Sequence, residues 1–310
     1  MSRKTPKKLL AVALGLVLLT AACGDDDDAA TDDTGEDTTE VTFPAGSTMA
    51  RIQEQGTIKV GVKFDQPGFG QRNPTTDEVE GFDVEIARRI VEAIGPDIDI
   101  EFVESVSANR ETFIQDGTVD MVVATYTIND TRKQVVDFAG PYYIAGQDIM
   151  VAADDDSITS VADLNGKRVC SAQGSTSETN LRREAPDAEL SLFPGYAECA
   201  AELRNGNVDA VTTDNGILFG FVQDEPEAFK LVNAPFTEEP YGIGIKKGDD
   251  QFREFINDRL EEIFDNGDWA EAFDSTLGVI GLEAPEPPEV DRYTVTPPAP
   301  SSTTSTTAAG

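Results

Sequence analysis

Residues 57–63 read TIKVGVK and residues 81–94 read GFDVEIARRIVEAI. In the first stretch Ile58, Val60 and Val62 alternate with Lys59, Gly61 and Lys63, the two-residue period of a strand. In the second, Val84, Ala87, Ile90, Val91 and Ile94 fall on one face of a helix that opens after Gly81. A strand over 98–103, a helix over 110–115 that stops at Asp116-Gly117, and an apolar strand over 121–124 continue the alternation. Strand, helix, strand, helix, strand predicts an α/β unit around a parallel sheet.

The pattern restarts after Pro141, with apolar strands at 149–152, 168–171, 190–193 and 210–213 and helices beginning near Ser175, Tyr196 and Asp214. A last strand at 241–246 leads to a helix with Phe252, Phe255, Ile256, Leu260, Ile263 and Phe264 on one stripe. Such a stripe needs a sheet to cover, and the helix is expected to pack back on the first unit.

At the N-terminus Arg3, Lys4, Lys7 and Lys8 precede an apolar run over 9–19 and the small pair Ala21-Ala22, so residues 1–22 read as a secretory signal. The run is about half of the roughly 20 residues a membrane-spanning helix needs. Thr20-Ala21-Ala22-Cys23 resembles the bacterial lipobox, which implies a lipid on Cys23 and anchoring to the outer face of the cell membrane; the alternative is ordinary cleavage after Ala22. Residues 23–45 carry Asp25 to Asp28, Asp32, Asp33, Glu36, Asp37 and Glu40 and almost nothing to bury, the composition of a flexible tether. Residues 283–310, rich in Pro and Glu and then in Ser and Thr, read as a disordered tail.

The formal charge is −34, and the signal holds only basic residues, so processing makes it more negative. Nucleic acid is therefore excluded as a natural partner. With Cys23 assigned to lipid, Cys170 and Cys199 remain; in an exported protein they read as a disulfide, the alternative being two separate buried thiols. The chain has no histidine, so neither a metal site nor the commonest general base is in view, and no cofactor motif is present.

Two α/β lobes joined by two crossings would form a cleft at the carboxyl ends of their strands, where small ligands bind. Lys63-Phe64-Asp65, Thr125-Tyr126-Thr127, Gln173-Gly174-Ser175-Thr176 and Asp214 leave those strand ends.

Several of these stretches, in order, resemble the amino-acid-binding branch of the periplasmic-type solute-binding proteins. They are Val60-Gly61-Val62, the segment 81–87, the segment 125–132, the segment 136–143 (VDFAGPYY) and Gln173-Gly174-Ser175. The segment 63–70, KFDQPGFG, is similar to the glutamate-binding proteins of Gram-positive importers. The resemblance implies a two-lobed type II binding-protein fold, with lobe 1 from 46–147 and 241–282 and lobe 2 from 148–240. It also implies a monomeric receptor that closes on an amino acid and docks on the permease of an ATP-driven importer.

By the same resemblance Arg132 would hold the ligand's α-carboxylate, a task that suits the guanidinium fork. Thr125 and Thr127 would help to hold the ligand's ammonium and carboxylate, or be ordinary strand-end threonines, and Ser175 and Thr176 would approach the same carboxylate from a helix N-terminus. Asp214 would pair with the α-ammonium; its plain alternative is a helix cap. Lys63, with Arg72 as second candidate, would meet the γ-carboxylate of L-glutamate, or would snorkel at the surface. Phe64, Phe69 and Tyr126 would pack on ligand methylenes or serve as core. Three other readings stand beside this one: a binder of glutamine or another polar amino acid, a ligand-sensing module, and a dehydratase-like enzyme on the same fold.

Overall fold

Ser47 accepts a hydrogen bond from the Ala50 amide and starts α1 (Thr48–Gln55) in a computed structural model that describes residues 41–293. The expected signal, Cys23, the tether up to residue 40 and the tail from residue 294 lie outside the described residues. Gly56, at φ 66°, turns the chain from α1 into β1 (Thr57–Val62). A small antiparallel sheet follows, of β2 (Asp65–Gln66), β3 (Gly70–Arg72) and β4 (Val79–Glu80). Strands this short hold no full alternation, so periodicity alone does not reveal them.

The helix α2 (Phe82–Glu92) buries Val84, Ile86, Ala87, Ile90 and Val91. Then come β5 (Asp99–Glu104), α3 (Arg110–Asp116), β6 (Met121–Val122), the one-turn α4 (Asp130–Lys133) and β7 (Val136–Ala145). The second lobe holds β8 (Gln147–Ala152), β9 (Arg168–Ala172), α5 (Thr176–Glu184), β10 (Glu189–Phe193) and α6 (Tyr196–Arg204). It closes with β11 (Ala210–Asp214), α7 (Asn215–Asp224) and β12 (Phe229–Leu231). The chain returns to the first lobe as β13 (Glu239–Lys246), followed by α8 (Asp250–Asp265) and α9 (Asp268–Phe273). The two main sheets run β5-β1-β6-β13-β7 and β10-β9-β11-β8-β12, so β7 to β8 and β12 to β13 are the two crossings.

The sheets are mixed rather than wholly parallel. In lobe 1, β5-β1-β6 is parallel, but β13 runs antiparallel to both β6 and β7. In lobe 2, β8 runs antiparallel to β11 and to β12. Gly140-Pro141 inside β7 breaks the strand pattern in sequence. The structure absorbs it where the β7–β13 register shifts, between the pairs Ile243↔Ala139 and Tyr241↔Tyr143. A proline lacks the donor a regular ladder needs, and an irregular point in the ladder removes that requirement.

Phe252, Ile256, Leu260 and Ile263 of α8 are buried, and the helix packs on β7, α2 and α1. Above it Phe82, Trp269, Phe273, Tyr143, Tyr241 and Phe69 form a continuous aromatic cluster, with the Trp269 indole donating to the Tyr142 carbonyl at 2.8 Å. In lobe 2 a disulfide joins Cys170 of β9 to Cys199 of α6 across 29 residues. Closing a loop of that length removes denatured-state entropy worth roughly 3–4 kcal/mol.

Both ends of the described region make contacts that the expected tether and tail do not suggest. Phe43, within the expected tether, meets Phe255 edge-on at 5.3 Å. Residues 283–293, within the expected tail, lie against lobe 1, where Tyr293 accepts from the Phe138 amide at 2.8 Å. An aromatic ring in each, joined in the second by the ion pairs of Arg292, holds these segments, which no periodic pattern announces. Among the described residues no helix is long and apolar enough to cross a membrane.

Candidate functional site

The carboxyl ends of β1, β6, β9 and β11 face one another across the lobes. Lys63, the first residue after β1, is 3% exposed and its Nζ donates to Ser107 Oγ at 2.9 Å. After β6, Thr125 has φ 43°, a left-handed conformation that costs a residue with a side chain. It is held there on three sides. Its amide donates to Asp83 Oδ2 at 2.8 Å, its hydroxyl to Gln66 Oε1 at 3.0 Å, and its carbonyl accepts from Arg110 at 3.3 Å. Tyr126 is fully buried between two guanidinium groups, with Arg110 at 4.2 Å and Arg132 at 4.8 Å from its ring centroid.

Arg132 sits on α4, whose N-cap Asn129 accepts from the Arg132 amide. Its guanidinium is fixed by Thr127 O at 2.7 Å, by Glu111 at 3.3 Å, and across the cleft by Gly174 O at 3.3 Å. Burial, aided by the charge of Arg110, lowers its pKa to about 10. Gly174 is at φ 76°, and a Cβ there would fall 2.7 Å from Ala108 Cα, so glycine is what allows the lobes to touch at this point.

Ser175 caps α5: its hydroxyl donates to Ala172 O at 2.7 Å and accepts from the Glu178 amide at 3.0 Å. Thr176 reaches over the cleft to Thr127, Oγ1 to Oγ1 at 3.2 Å. Both line a groove of about 540 Å³ between the lobes, together with Glu111, Thr127, Arg132 and Glu239. Asp214 ends β11. Although it precedes α7, its side chain makes no capping bond; Oδ2 accepts from the Tyr241 hydroxyl at 2.6 Å. Its Oδ1 is buried and has no partner among the described residues. Burial, and then the charge of Glu239, raise its pKa to about 7.

Electrostatically the site is a buried mixture of both signs. Burial and the neighbouring Arg110 lower Lys63 to about 7, against the pull of Asp65 and Asp83. Burial raises Asp83 to about 7, opposed by hydrogen bonds from the Tyr142 hydroxyl and the Thr125 amide. A cation poised to lose its proton and a carboxylate poised to gain one respond strongly to an added charge.

Of the expected residues, Thr127, Arg132, Ser175 and Thr176 line the groove between the lobes, and Lys63, Thr125, Tyr126 and Asp214 are buried at the neighbouring strand ends. Three sit elsewhere. Arg72 turns outward on β3, pairing with Asp77 at 2.8 Å, and lies over Phe64 at 5.2 Å, which is half-buried against the core. Phe69 packs edge-on against Phe82, Tyr143 and Tyr241 as core.

Sequence reasoning placed Asp65 at a strand end without giving it a role and passed over Arg110 and Glu239. Arg110 is 2% exposed and bonds the carbonyls of Ser107, Ala124 and Thr125. It opens α3, six residues beyond the end of β5, so the strand-end criterion that selects Lys63 does not reach it. Asp65 crosses the cleft to accept from the amides of Tyr196 and Ala197 at 2.7 and 3.3 Å, where the N-terminus of α6 favours an anion. With Arg132–Gly174 and Thr127–Thr176, this contact makes the structure a closed arrangement of the lobes. Among the described residues no cluster suited to a metal ion occurs.

The model of the bacterial extracellular solute-binding proteins, family 3, matches residues 58–278. The glutamate-binding protein GluB of Corynebacterium glutamicum is 42% identical over 236 residues, covering 73% of this chain and 80% of that protein. The ABC transporter glutamine-binding protein GlnH of Bacillus subtilis is 39% identical over 267 residues, covering 86% of this chain and 94% of that one. Among solved structures, an ancestral arginine-binding protein bound to arginine superposes with a TM-score of 0.68 at 36% identity, over 71% of this chain and 98% of its own. The two-lobed fold, the facing strand ends and the match across both lobes agree: the chain belongs to the bacterial extracellular solute-binding proteins of family 3.

Proposed function

We propose that this protein is the extracytoplasmic receptor of an amino-acid ABC importer and that its ligand is L-glutamate. Arg132, with Thr127 and the α5 N-terminus at Ser175 and Thr176, receives the α-carboxylate. Asp214 receives the α-ammonium through the buried Oδ1 that has no partner among the described residues, with Glu239 adding negative charge beside it. One zwitterion then bridges both lobes and favours the closed state through that differential contact.

The observation that carries the glutamate reading is the pair of buried cations besides Arg132. Lys63 and Arg110 are buried with Arg132 behind the facing strand ends, alongside Asp65 and Asp83. In this reading a γ-carboxylate pairs with Lys63, a buried cation in a strongly acidic chain. L-Glutamine is the second reading, favoured by the likeness to GlnH and by a Lys63 that is half-deprotonated near neutral pH and able to accept from an amide. Aspartate would leave its shorter side chain further from Lys63. Capture and delivery involve no bond making, and the relatives matched are binding proteins. The proposal includes docking of the monomer on permease subunits and a lipid on Cys23 that holds it at the membrane.

Uptake of labelled glutamate by cells that carry the importer tests the transport role. The expected result is uptake that depends on this chain and survives a tenfold excess of unlabelled glutamine. Suppression by glutamine, or uptake of glutamine in its place, would select the second reading.

A further inference from the structure

Beyond residue 278, where the family match ends, residues 283–293 run along lobe 1 as a strap that is fastened at three places. On α8, Arg292 binds Glu254, Asp258 and Glu261 at 2.7, 2.6 and 2.8 Å. On β7, the Asp291 amide donates to Gly140 O at 2.8 Å, and the Tyr293 hydroxyl accepts from the Phe138 amide at 2.8 Å and donates to Asp137 at 3.3 Å. The third fastening is α4 itself. The Lys133 Nζ lies 4.1 Å from the Tyr293 ring centroid and 3.5 Å from Asp291 Oδ2.

Lys133 is the residue after Arg132, and α4 has four residues, too few for a helix to hold its own shape. Its register rests on the Asn129 cap, on Lys247 Nζ donating to Lys133 O at 2.7 Å, and on the strap. Arg253 approaches the same ring at 4.9 Å, and its Nε and Nη1 have no hydrogen-bond partner among the described residues, so Tyr293 is packed by two cations.

We propose that the strap is a positioning device for ligand binding: Tyr293 and Asp291 clamp Lys133 and thereby hold the short helix that presents Arg132 to the cleft. The inference rests on the reading that Arg132 holds the ligand's α-carboxylate. Because that group is common to all amino acids, the strap sets affinity and leaves selectivity alone.

The test uses the full chain with Tyr293→Ala, Lys133→Ala, the two together, and the conservative Tyr293→Phe and Lys133→Arg. Calorimetry with glutamate and glutamine is combined with amide exchange at residues 132–134 in the ligand-free protein. Tyr293→Ala is expected to weaken both ligands alike, by about three- to tenfold, and to speed exchange in α4. Lys133→Ala should do the same, and the double variant should be no worse than either single one. Tyr293→Phe and Lys133→Arg keep the ring and the cation and should restore most of the affinity. Unchanged affinity and exchange, or a lower melting temperature with unchanged affinity, would overturn the proposal. If the parent chain binds neither amino acid, the reading of Arg132 fails, while exchange in α4 still reports whether the strap holds the helix.

Discussion

Arg132→Ala is expected to weaken amino-acid binding by about a hundred- to a thousandfold. The guanidinium is almost wholly buried and held by Thr127, Glu111 and Gly174, so the ligand meets a preformed fork and loses little entropy in ordering it. Without it, the α-carboxylate loses the guanidinium that faces it, and truncating one member of a buried charge pair costs about 3–5 kcal/mol. Glutamate and glutamine should lose equally, because both present the same α-carboxylate. Arg132→Lys should fall between, keeping the charge and losing the two-point geometry. Calorimetry with both ligands checks this, and an affinity within a factor of three of the parent would remove Arg132 from the site.

The second large effect is selective. Lys63→Met should cost glutamate about thirtyfold or more and glutamine only a few-fold, because only glutamate brings a second charge to that end of the cleft. The same substitution should alter the pH profile. In the free protein Lys63 has a pKa lowered to about 7, and a bound γ-carboxylate raises it. Binding above pH 7 therefore takes up a proton, and glutamate affinity is full below that pH and falls above it by at most about tenfold per unit.

Asp214 behaves oppositely. Its pKa is raised to about 7, a bound ammonium lowers it, and affinity is full above pH 7 and falls below it. The charged groups facing Lys63 are Arg110, Asp65, Asp83 and Arg132. Asp83, raised to about 7 itself, ionises over the same range and softens the alkaline limb without removing it. Glutamate affinity should thus peak near pH 7, and Lys63→Met should flatten the alkaline side alone. Equal losses for both ligands, with the profile unchanged, would assign Lys63 a general role.

Elements that bury one regular face were legible in sequence. The alternation of Ile58, Val60 and Val62 and the stripe from Val84 to Ile94 gave β1 and α2, because burial on one side imposes a period. The disulfide between Cys170 and Cys199 follows from an even pair in an exported chain. The antiparallel return of β13 did not show, since strand direction leaves no mark on residue order. Nor did β7, because Gly140-Pro141 reads as a break and the irregular pairing that tolerates it lies on another strand.

The site divides in the same way. Lys63, Thr127, Arg132 and Asp214 stand at strand ends or within recognisable stretches. Arg110 was hidden because its role depends on Tyr126 and on two carbonyls that only the fold brings near. Arg72 was a fair candidate by charge and position, yet Asp77, five residues on, draws it out of the cleft. Tyr293 and Arg292 each make several contacts, in a segment whose composition predicts none.

The central claim is tested most directly by calorimetric titration of the soluble chain, beginning at Gly24, with L-glutamate, L-glutamine, L-aspartate and L-arginine at pH 7. The account predicts one-to-one binding with glutamate the tightest by at least about tenfold, the least that a buried counter-charge should contribute. Glutamine or arginine binding more tightly than glutamate would contradict the assignment of Lys63 and Arg110 to a γ-carboxylate, and no binding of any of the four would contradict the receptor itself.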